Sequence, residues 1–452
     1  MGPFRVKPPN LICSPLALVP KKEPGTFRLI QDLSFPKGSS INDGIDHQFT
    51  EIHYDSVDIV VQKVKQCGRN CLMAKTDIEN AFRILPIHPL DRHLLGFSWA
   101  LEDTVEYYMD ACLVMGLSIS CQLFSRFSAA LQWIMETNHQ AIMSHILDDF
   151  FFVGSPYTNQ CQASLDLFLK LCKDINIPIK TEKNVNATTC ITIYGIEVDS
   201  QAMIIRLPED KVTKIRSKLN QFKCRKKVML KELQSLLGLL NFATVCVVPG
   251  RTFLRRLYDL TVDVACPQFY IRLNAAARAD LSMWHSFMQS FNGRCMFLND
   301  NWISSESLNL FTDAASTIGF AAVFGSEWVA EKWPPHFQQF HINILELFPI
   351  VIALELWGHK MANHKITFYC DNLATVCVIN KLTSKDPVMM ALVRRLVLLS
   401  MTYNILFRAR HVCGNANRVA DHLSRFEFQK AFLEAPFLCR TPLSVPDHLL
   451  SI

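Results

Sequence analysis

The stretch that most constrains this chain is His145–Gly154, HILDDFFFVG. Two adjacent aspartates, Asp148 and Asp149, sit between apolar runs, Ile146-Leu147 before and Phe150 to Val153 after. Short apolar runs flanking a polar pair predict two buried strands joined by a tight turn. Adjacent carboxylates in such a place cost energy unless a cation or a proton neutralises them. A solvated polar turn is the ordinary explanation of a lone Asp-Asp pair. A third carboxylate reaching the same place would instead make a Mg²⁺ site fit for phosphoryl transfer.

That third carboxylate is sought upstream. Ala74–Pro89 reads AKTDIENAFRILPIHP, with Asp77 at the end of an apolar strand and Phe82 five positions later. Further upstream, Leu16 to Val19 and Phe27 to Ile30 predict two strands joined by a turn over Lys21 to Thr26, presenting Lys21, Lys22 and Arg28. Cations on a short hairpin can clamp phosphates, Arg bidentately. They also serve as plain edge-strand charges.

Composition sets the outer limits. The 452 residues are 50% hydrophobic and 19% charged, an ordinary globular balance, and the length predicts about three domains. Sixteen scattered cysteines show no paired zinc-ligand spacing, and no signal peptide is visible, which points to an intracellular protein with reduced thiols. The most apolar run found, Leu233–Pro249, is interrupted by Gln234, Ser235, Asn241 and Thr244, so no membrane span is expected. The net charge of +5 is uneven: Ile205 to Leu260 holds thirteen Lys or Arg against four Asp or Glu. Such a segment suits a polyanion or, equally, a solvated helical face.

In the second half, Asn274–Asn292 has helical spacing, with Asn274 as N-cap and Asn292-Gly293 as stop, and is expected to connect two domains. Leu308–Pro334 predicts three strands, the first carrying Asp313. Ile342–Gly358 predicts a buried helix with Glu346, starting late or bending because of Pro349. Ile366–Asn380 predicts a strand ending in Asp371 and then a helix; Phe407–Arg425 predicts a strand, a loop with His411 and a helix bearing Asp421. Taken singly, Asp371 could cap the following helix and Glu346 could be a surface charge.

The order of these motifs resembles the palm of a reverse transcriptase over about residues 1–260: a basic hairpin, Asp with an aromatic five positions on, a Gly-containing loop (Cys112–Phe124), then Leu-Asp-Asp. The phrases FRLIQDLSFPKGSSINDGI, DIENAFRILPIHPLDRHLLGF and LLGLLNFATVCVVPGRTFLRRL are similar to the DIRS-type, tyrosine-recombinase retrotransposons. The resemblance implies an α+β polymerase right hand. Asp77, Asp148 and Asp149 would hold Mg²⁺, with Mn²⁺ as a substitute. Lys21 or Lys22 with Arg28 would grip the deoxynucleoside triphosphate, Phe82 would exclude a 2′-hydroxyl, and Gly116 would lie where the nascent base pair is approached. Ile193, Tyr194 and Gly195 look like the primer-holding hairpin. Lys211, Lys214, Lys218, Lys226 and Lys227 would hold primer and template in a thumb-like segment. Lys183 is a weak candidate for the acid that protonates pyrophosphate, a surface lysine being the commoner case. The chain departs from the family pattern at Val114-Met115, where Pro-Phe is usual, near Cys121, where proline is usual, and at Ile146, where tyrosine often stands.

The four later acids, Asp313, Glu346, Asp371 and Asp421, with His411, resemble an α/β ribonuclease H domain with a mixed sheet that cuts RNA paired with DNA; Cys413 replaces a frequent proline. The domain expectation is fingers and palm 1–204, thumb 205–270, connecting helix 271–303, ribonuclease H-like domain 304–426, able to fold alone, and a tail or linker 427–452. The expected function is RNA-directed DNA synthesis with degradation of the hybrid's RNA, the partners being RNA template, DNA primer, hybrid and deoxynucleoside triphosphates. Met1 to Phe4 matches a phrase inside the family's polymerase region and 426–452 resembles a linker toward a recombinase. The rival expectation is a truncated or co-opted remnant that binds nucleic acid with ribonuclease activity alone or none.

Overall fold

The computed structural model describes residues 1–20, 25–102, 104–290, 293–295, 301–446 and 449–450, and divides into two units, Met1–Met203 and Ile204–Ile452. Lys21 and Lys22, and the Asn292 stop, lie outside the described residues.

In the first unit, β1 (Leu16–Pro20) and β2 (Phe27–Gln31) form an antiparallel hairpin. Helix α1 (Val57–Cys67) leads into β3 (Leu72–Asp77). A second hairpin, β4 (Gly96–Ala100) and β5 (Val105–Met109), precedes α2 (Ser120–His139). Then come β6 (Ile142–Ile146), β7 (Asp149–Gly154), α3 (Gln160–Asp174) and β8 (Val185–Thr188). Strands β6, β7, β3 and β8, in that order, make one antiparallel sheet. Phe150 and Phe152 of β7 pack with Phe124 of α2 and Phe168 of α3, which explains why the run after the aspartates is wholly apolar: it is covered on both faces. The β9 (Cys190–Ile193) and β10 (Ile196–Asp199) hairpin turns on Tyr194 and Gly195, φ +51° and +75°, the pattern of a type I′ turn.

The second unit opens with β11 (Ile204–Arg206) and α4 (Glu209–Lys223). Next are β12 (Lys227–Met229), α5 (Leu230–Ala243), α6 (Arg255–Asp259), β13 (Tyr270–Arg272), α7 (Ala275–Ser290) and β14 (Arg294–Cys295). β14 pairs with β11 and β13 with β12. Asn274 caps α7, accepting from the Ala277 N–H at 2.8 Å. This helix is more than a connection: it packs on α4 and α6, and its Trp284 is fully buried.

Beyond it, β15 (Trp302–Ser304) precedes β16 (Leu310–Ala314), β17 (Gly319–Phe324) and β18 (Glu327–Lys332), the last three forming an antiparallel sheet. Helix α8 (Ile342–Trp357) is followed by β19 (Lys365–Cys370), α9 (Leu373–Lys381), α10 (Pro387–Thr402), β20 (Leu406–His411), α11 (Arg418–Ser424) and α12 (Phe428–Glu434). Strand β19 is the centre of a parallel sheet between β15 and β20.

Four expectations are corrected here. The single mixed sheet is two three-stranded sheets. The Ser305 hydroxyl accepts from the Tyr369 N–H and donates to the Thr367 carbonyl, taking ladder bonds on the edge of β19 that faces β16. Helix α8 starts at Ile342, not later, with Pro349 inside it; His341 caps the start, and twelve of its sixteen residues are buried. That burial outweighs the cost of about 3 kcal/mol for an interior proline. The segment Ile342–Met361 is long and apolar enough to cross a membrane, but most of it is buried, as in a core helix. His411 ends a strand and is not in a loop. Residues after 426 are no free tail: Phe428 and Phe432 of α12 pack on Trp328 of β18, and Ala431, Ala435 and Leu438 join Ala321, Val323 and Trp328 in one buried cluster.

Candidate functional site

Two clusters of acids form, one in each unit. In the first, strand register does the work. Asp77, the last residue of β3, pairs directly with Asp149, the first of β7, so both side chains leave the same face. β6 and β7 are joined by two residues, Leu147 and Asp148. Leu147 takes a left-handed φ of +52°, a conformation that is costly for leucine and stored at the turn. It is held there by the Ser128 hydroxyl, which donates to the Leu147 carbonyl at 2.8 Å, while the Ile78 N–H bonds the Asp148 carbonyl at 3.1 Å.

The electrostatics match the crowding. Burial first, then a hydrogen bond to Asp77 and the charges of Asp77 and Asp148, push Asp149 up to about 7. Burial also raises Asp148, opposed by the cations Lys183 and Arg28. Lys183 forms an ion pair with Asp77. Burial pulls its ammonium down, but that bond and the three aspartate charges outweigh it, and the net shift is upward. Lys183 is thus inside the cluster.

The remaining residues of the first unit surround this point unevenly. Arg28 is exposed on β2, near enough to Asp148 to act on its charge. Phe82 is half-buried in a 3₁₀ turn with its ring edge-on to Phe124, 5.7 Å between centroids. Gly116 has φ +117°, and a Cβ there would lie 1.8 Å from the Gln31 carbonyl oxygen, so its glycine is required by β2. Asn42, which lies in the phrase FRLIQDLSFPKGSSINDGI but has no role assigned from it, clamps this loop: it donates to the Gly116 carbonyl at 2.8 Å and accepts from the Ser118 N–H at 2.9 Å. The Tyr194 hydroxyl reaches Ser144 of β6 at 3.3 Å, fastening the β9–β10 turn beside the Asp-Asp hairpin.

In the second unit, Asp313, Glu346, Asp371, Asp421 and Arg425 line one cavity of about 290 Å³. Asp313 is buried on β16; the Ser424 hydroxyl donates to it at 2.6 Å and Asn417 at 3.3 Å. Burial raises Asp313 to about 6. Burial, then repulsion from Asp313, Asp371 and Asp421, lifts Glu346 to about 9. Asn372, not Asp371, caps α9, which leaves Asp371 free to face the other acids. Arg425 donates to Asp421 at 2.7 Å. His411 Nε2 lies 3.0 Å from the Asp371 carbonyl oxygen. Four acids converge in this pocket, and Glu346 alone is raised far enough to keep its proton at neutral pH; their carboxylate oxygens form a hard donor set that suits Mg²⁺.

Of the five lysines expected to hold primer and template, Lys214, Lys226 and Lys227 are exposed. Lys211 sits over the Phe242 ring at 3.8 Å and Lys218 donates to Ser235 at 2.6 Å.

The family model described as reverse transcriptase (RNA-dependent DNA polymerase) matches residues 19–198. Residues 19–198 form a reverse transcriptase domain. The match spans all three aspartates of the first cluster. No curated protein matches the sequence. Among solved structures, the foamy viral protease–reverse transcriptase is similar in three complexes. One, described as dRH and bound to double-stranded DNA, has TM-score 0.52 and 16% identity, covering 90% of this chain and 66% of that one. Another with double-stranded DNA has TM-score 0.52 and 17% identity, covering 90% and 79%. The third, with an RNA/DNA hybrid, has TM-score 0.50 and 15% identity, covering 98% and 53%. The chain therefore spans about half to four fifths of the length of these proteins, and at such identities the likeness shows a shared fold alone.

Proposed function

We propose that the protein is an RNA-directed DNA polymerase with ribonuclease H activity, of the DIRS-type retrotransposon kind. The observation that carries the polymerase reading is the register pair Asp77–Asp149 beside Asp148, inside the reverse transcriptase domain. These three aspartates would hold two divalent cations, Mg²⁺ or Mn²⁺, which when bound neutralise the attacking 3′ oxygen and the leaving pyrophosphate. Arg28 binds the triphosphate of the incoming deoxynucleotide, with Lys21 or Lys22 as the second cation. Phe82 packs under the sugar and leaves no room for a 2′-hydroxyl. The Gly116 loop, set by Asn42, bounds the nascent pair, and the Tyr194-Gly195 turn holds the DNA primer on its RNA template. Lys183, ion-paired with Asp77, supplies part of the counter-charge that lets the three aspartates sit together.

The ribonuclease reading rests on the second cavity. Asp313, Glu346, Asp371 and Asp421 converge there and would hold the metal, while His411, tied to the Asp371 backbone, assists departure of the cut RNA. Lys214, Lys226 and Lys227 are available to the phosphates of the hybrid. The test is primer extension on an RNA template with deoxynucleotides, with and without Mg²⁺. Metal-dependent extension is expected. Hybrid cleavage without any extension would replace this reading with that of a ribonuclease alone.

A further inference from the structure

The β12–β13 ribbon of the second unit carries a feature that the two acid clusters do not use. Its backbone pairing continues past both ends: the Leu273 N–H donates to Lys226 and the Leu230 N–H to Phe269. One face is anchored, with Val228, Leu230, Ile271 and Leu273 buried. The other face is outward and holds Lys227 directly opposite Arg272, both exposed, followed by Met229 opposite Tyr270. Tyr270 is 69% exposed and Phe269, at the ribbon's end, 61%.

Two cations placed directly across an antiparallel pair repel and destabilise the ribbon. Neither Lys227 nor Arg272 has an ion pair among the described residues. Edge-strand lysines that deter aggregation need no second cation facing them, and large bare aromatics beside them would promote the aggregation they deter. A polyanion that also offers flat apolar faces resolves both costs at once. Phosphates neutralise the Lys227–Arg272 pair, and a base stacks on Tyr270. A duplex hides its base faces, whereas a single strand presents them.

We infer that the outward face of the β12–β13 ribbon is a binding ledge for single-stranded nucleic acid, with Lys227 and Arg272 on its phosphates and Tyr270 against an unpaired base. The inference rests on the nucleic-acid reading above and adds to it a strand type and the residues Arg272 and Tyr270. The chemistry needs no 2′-hydroxyl, so RNA and DNA single strands bind alike.

The experiment is fluorescence anisotropy with the full chain, using labelled oligouridylate, labelled oligothymidylate and a blunt RNA–DNA hybrid over a range of salt. Tyr270→Ala is expected to weaken both single strands by about 5- to 150-fold, the range for loss of one stacked base, and to leave the hybrid within about twofold. Tyr270→Phe, which keeps the ring, should restore binding. Arg272→Ala should flatten the log-affinity against log-salt slope by about 0.7 on single strands. Both positions are exposed, and thermal melts identical to wild type confirm that the variants are folded. Equal weakening of single strand and hybrid by Tyr270→Ala would overturn the single-strand assignment, as would unchanged binding of either single strand. Wild-type protein that binds none of the three probes would overturn both the ledge and the nucleic-acid reading.

Discussion

In the first unit three aspartates meet at a strand end and a hairpin turn, with a lysine among them; in the second, four acids arrive from strands and helices and meet one arginine at Asp421. The cost of crowding carboxylates is met differently. Lys183 pairs with Asp77 and lowers Asp148 and Asp149, leaving Asp149 at about 7. In the second cluster burial dominates, and Glu346 is left at about 9 with only like charges acting on it. The first site carries part of its own counter-charge; the second is the more dependent on a cation from solution. The difference also follows backbone origin. A strand ladder fixes two acids by register alone, whereas the second cluster needs side-chain ties such as Ser424 and Asn417 to Asp313.

The largest expected effect concerns the independence of the second site. Fragment 204–452 should fold by itself, whereas fragment 304–426 should not. Asp280 of α7 is fully buried between Arg256 of α6 and Arg394 of α10, at 3.0 and 2.9 Å. Cutting at 304 removes α7, and with it both the Asp280 partner of Arg394 and the cover that α7 gives α10. Cutting at 426 uncovers Trp328, whose indole donates to the Cys439 carbonyl. A cooperative melt of 304–426 matching that of 204–452 would break this view and restore the smaller domain read from the sequence.

Next is Glu346→Gln. Its ordinary value of 4.5 rises to about 9 on folding, so between those limits the folded protein keeps a proton that the unfolded chain releases. Stability should therefore fall as pH rises through that window. The variant should be more stable than wild type by a few kcal/mol at pH 8.5 and equal at pH 4, while losing hybrid cleavage. Mg²⁺ should raise the wild-type melting temperature at pH 8.5 more than the variant's. Thermal melts at the two pH values decide it; no gain at pH 8.5 would mean that the second site is as well compensated as the first.

Much of this contrast was legible beforehand, and the reasons are specific. The seven acids stand in local phrases whose strand or helix context is short-range, so their convergence could be expected from their order. The partners could not. Asp280, Arg256 and Arg394 lie on three helices with no shared motif, and Asn42 looks like an ordinary turn residue until Gly116 is folded against β2. β15 and then Ser305, rather than β16, take the ladder bonds along one edge of β19. The helical pattern of 428–434 was visible in principle, but its apolar face had no known counterpart until β17 and β18 were placed.

Phe82→Ala sharpens the first site. As a sugar gate its removal should raise ribonucleotide use relative to deoxynucleotide by about 10- to 200-fold, the span for steric discrimination in an apolar pocket. Incorporation ratios on one template report it. An unchanged ratio would reduce Phe82 to its visible packing on Phe124.

The smallest effect expected is from Lys183→Met. Its charge lowers both Asp148 and Asp149. Removing it should raise them and move the acid limb of the synthesis profile to higher pH, by less than about one unit for a half-exposed lysine. An unmoved limb would leave Lys183 outside the titration of the site.

The most direct measurement follows primer extension and hybrid cleavage in the same preparations of Asp148→Asn and Asp371→Asn. Each variant removes one metal ligand from one cluster, worth several kcal/mol of transition-state stabilisation. Reciprocal loss is predicted: Asp148→Asn without synthesis but with cleavage, Asp371→Asn without cleavage but with synthesis, each lost activity down by about a thousandfold or more. Loss of both activities in either folded variant, or retention of synthesis by Asp148→Asn, would contradict two separate sites.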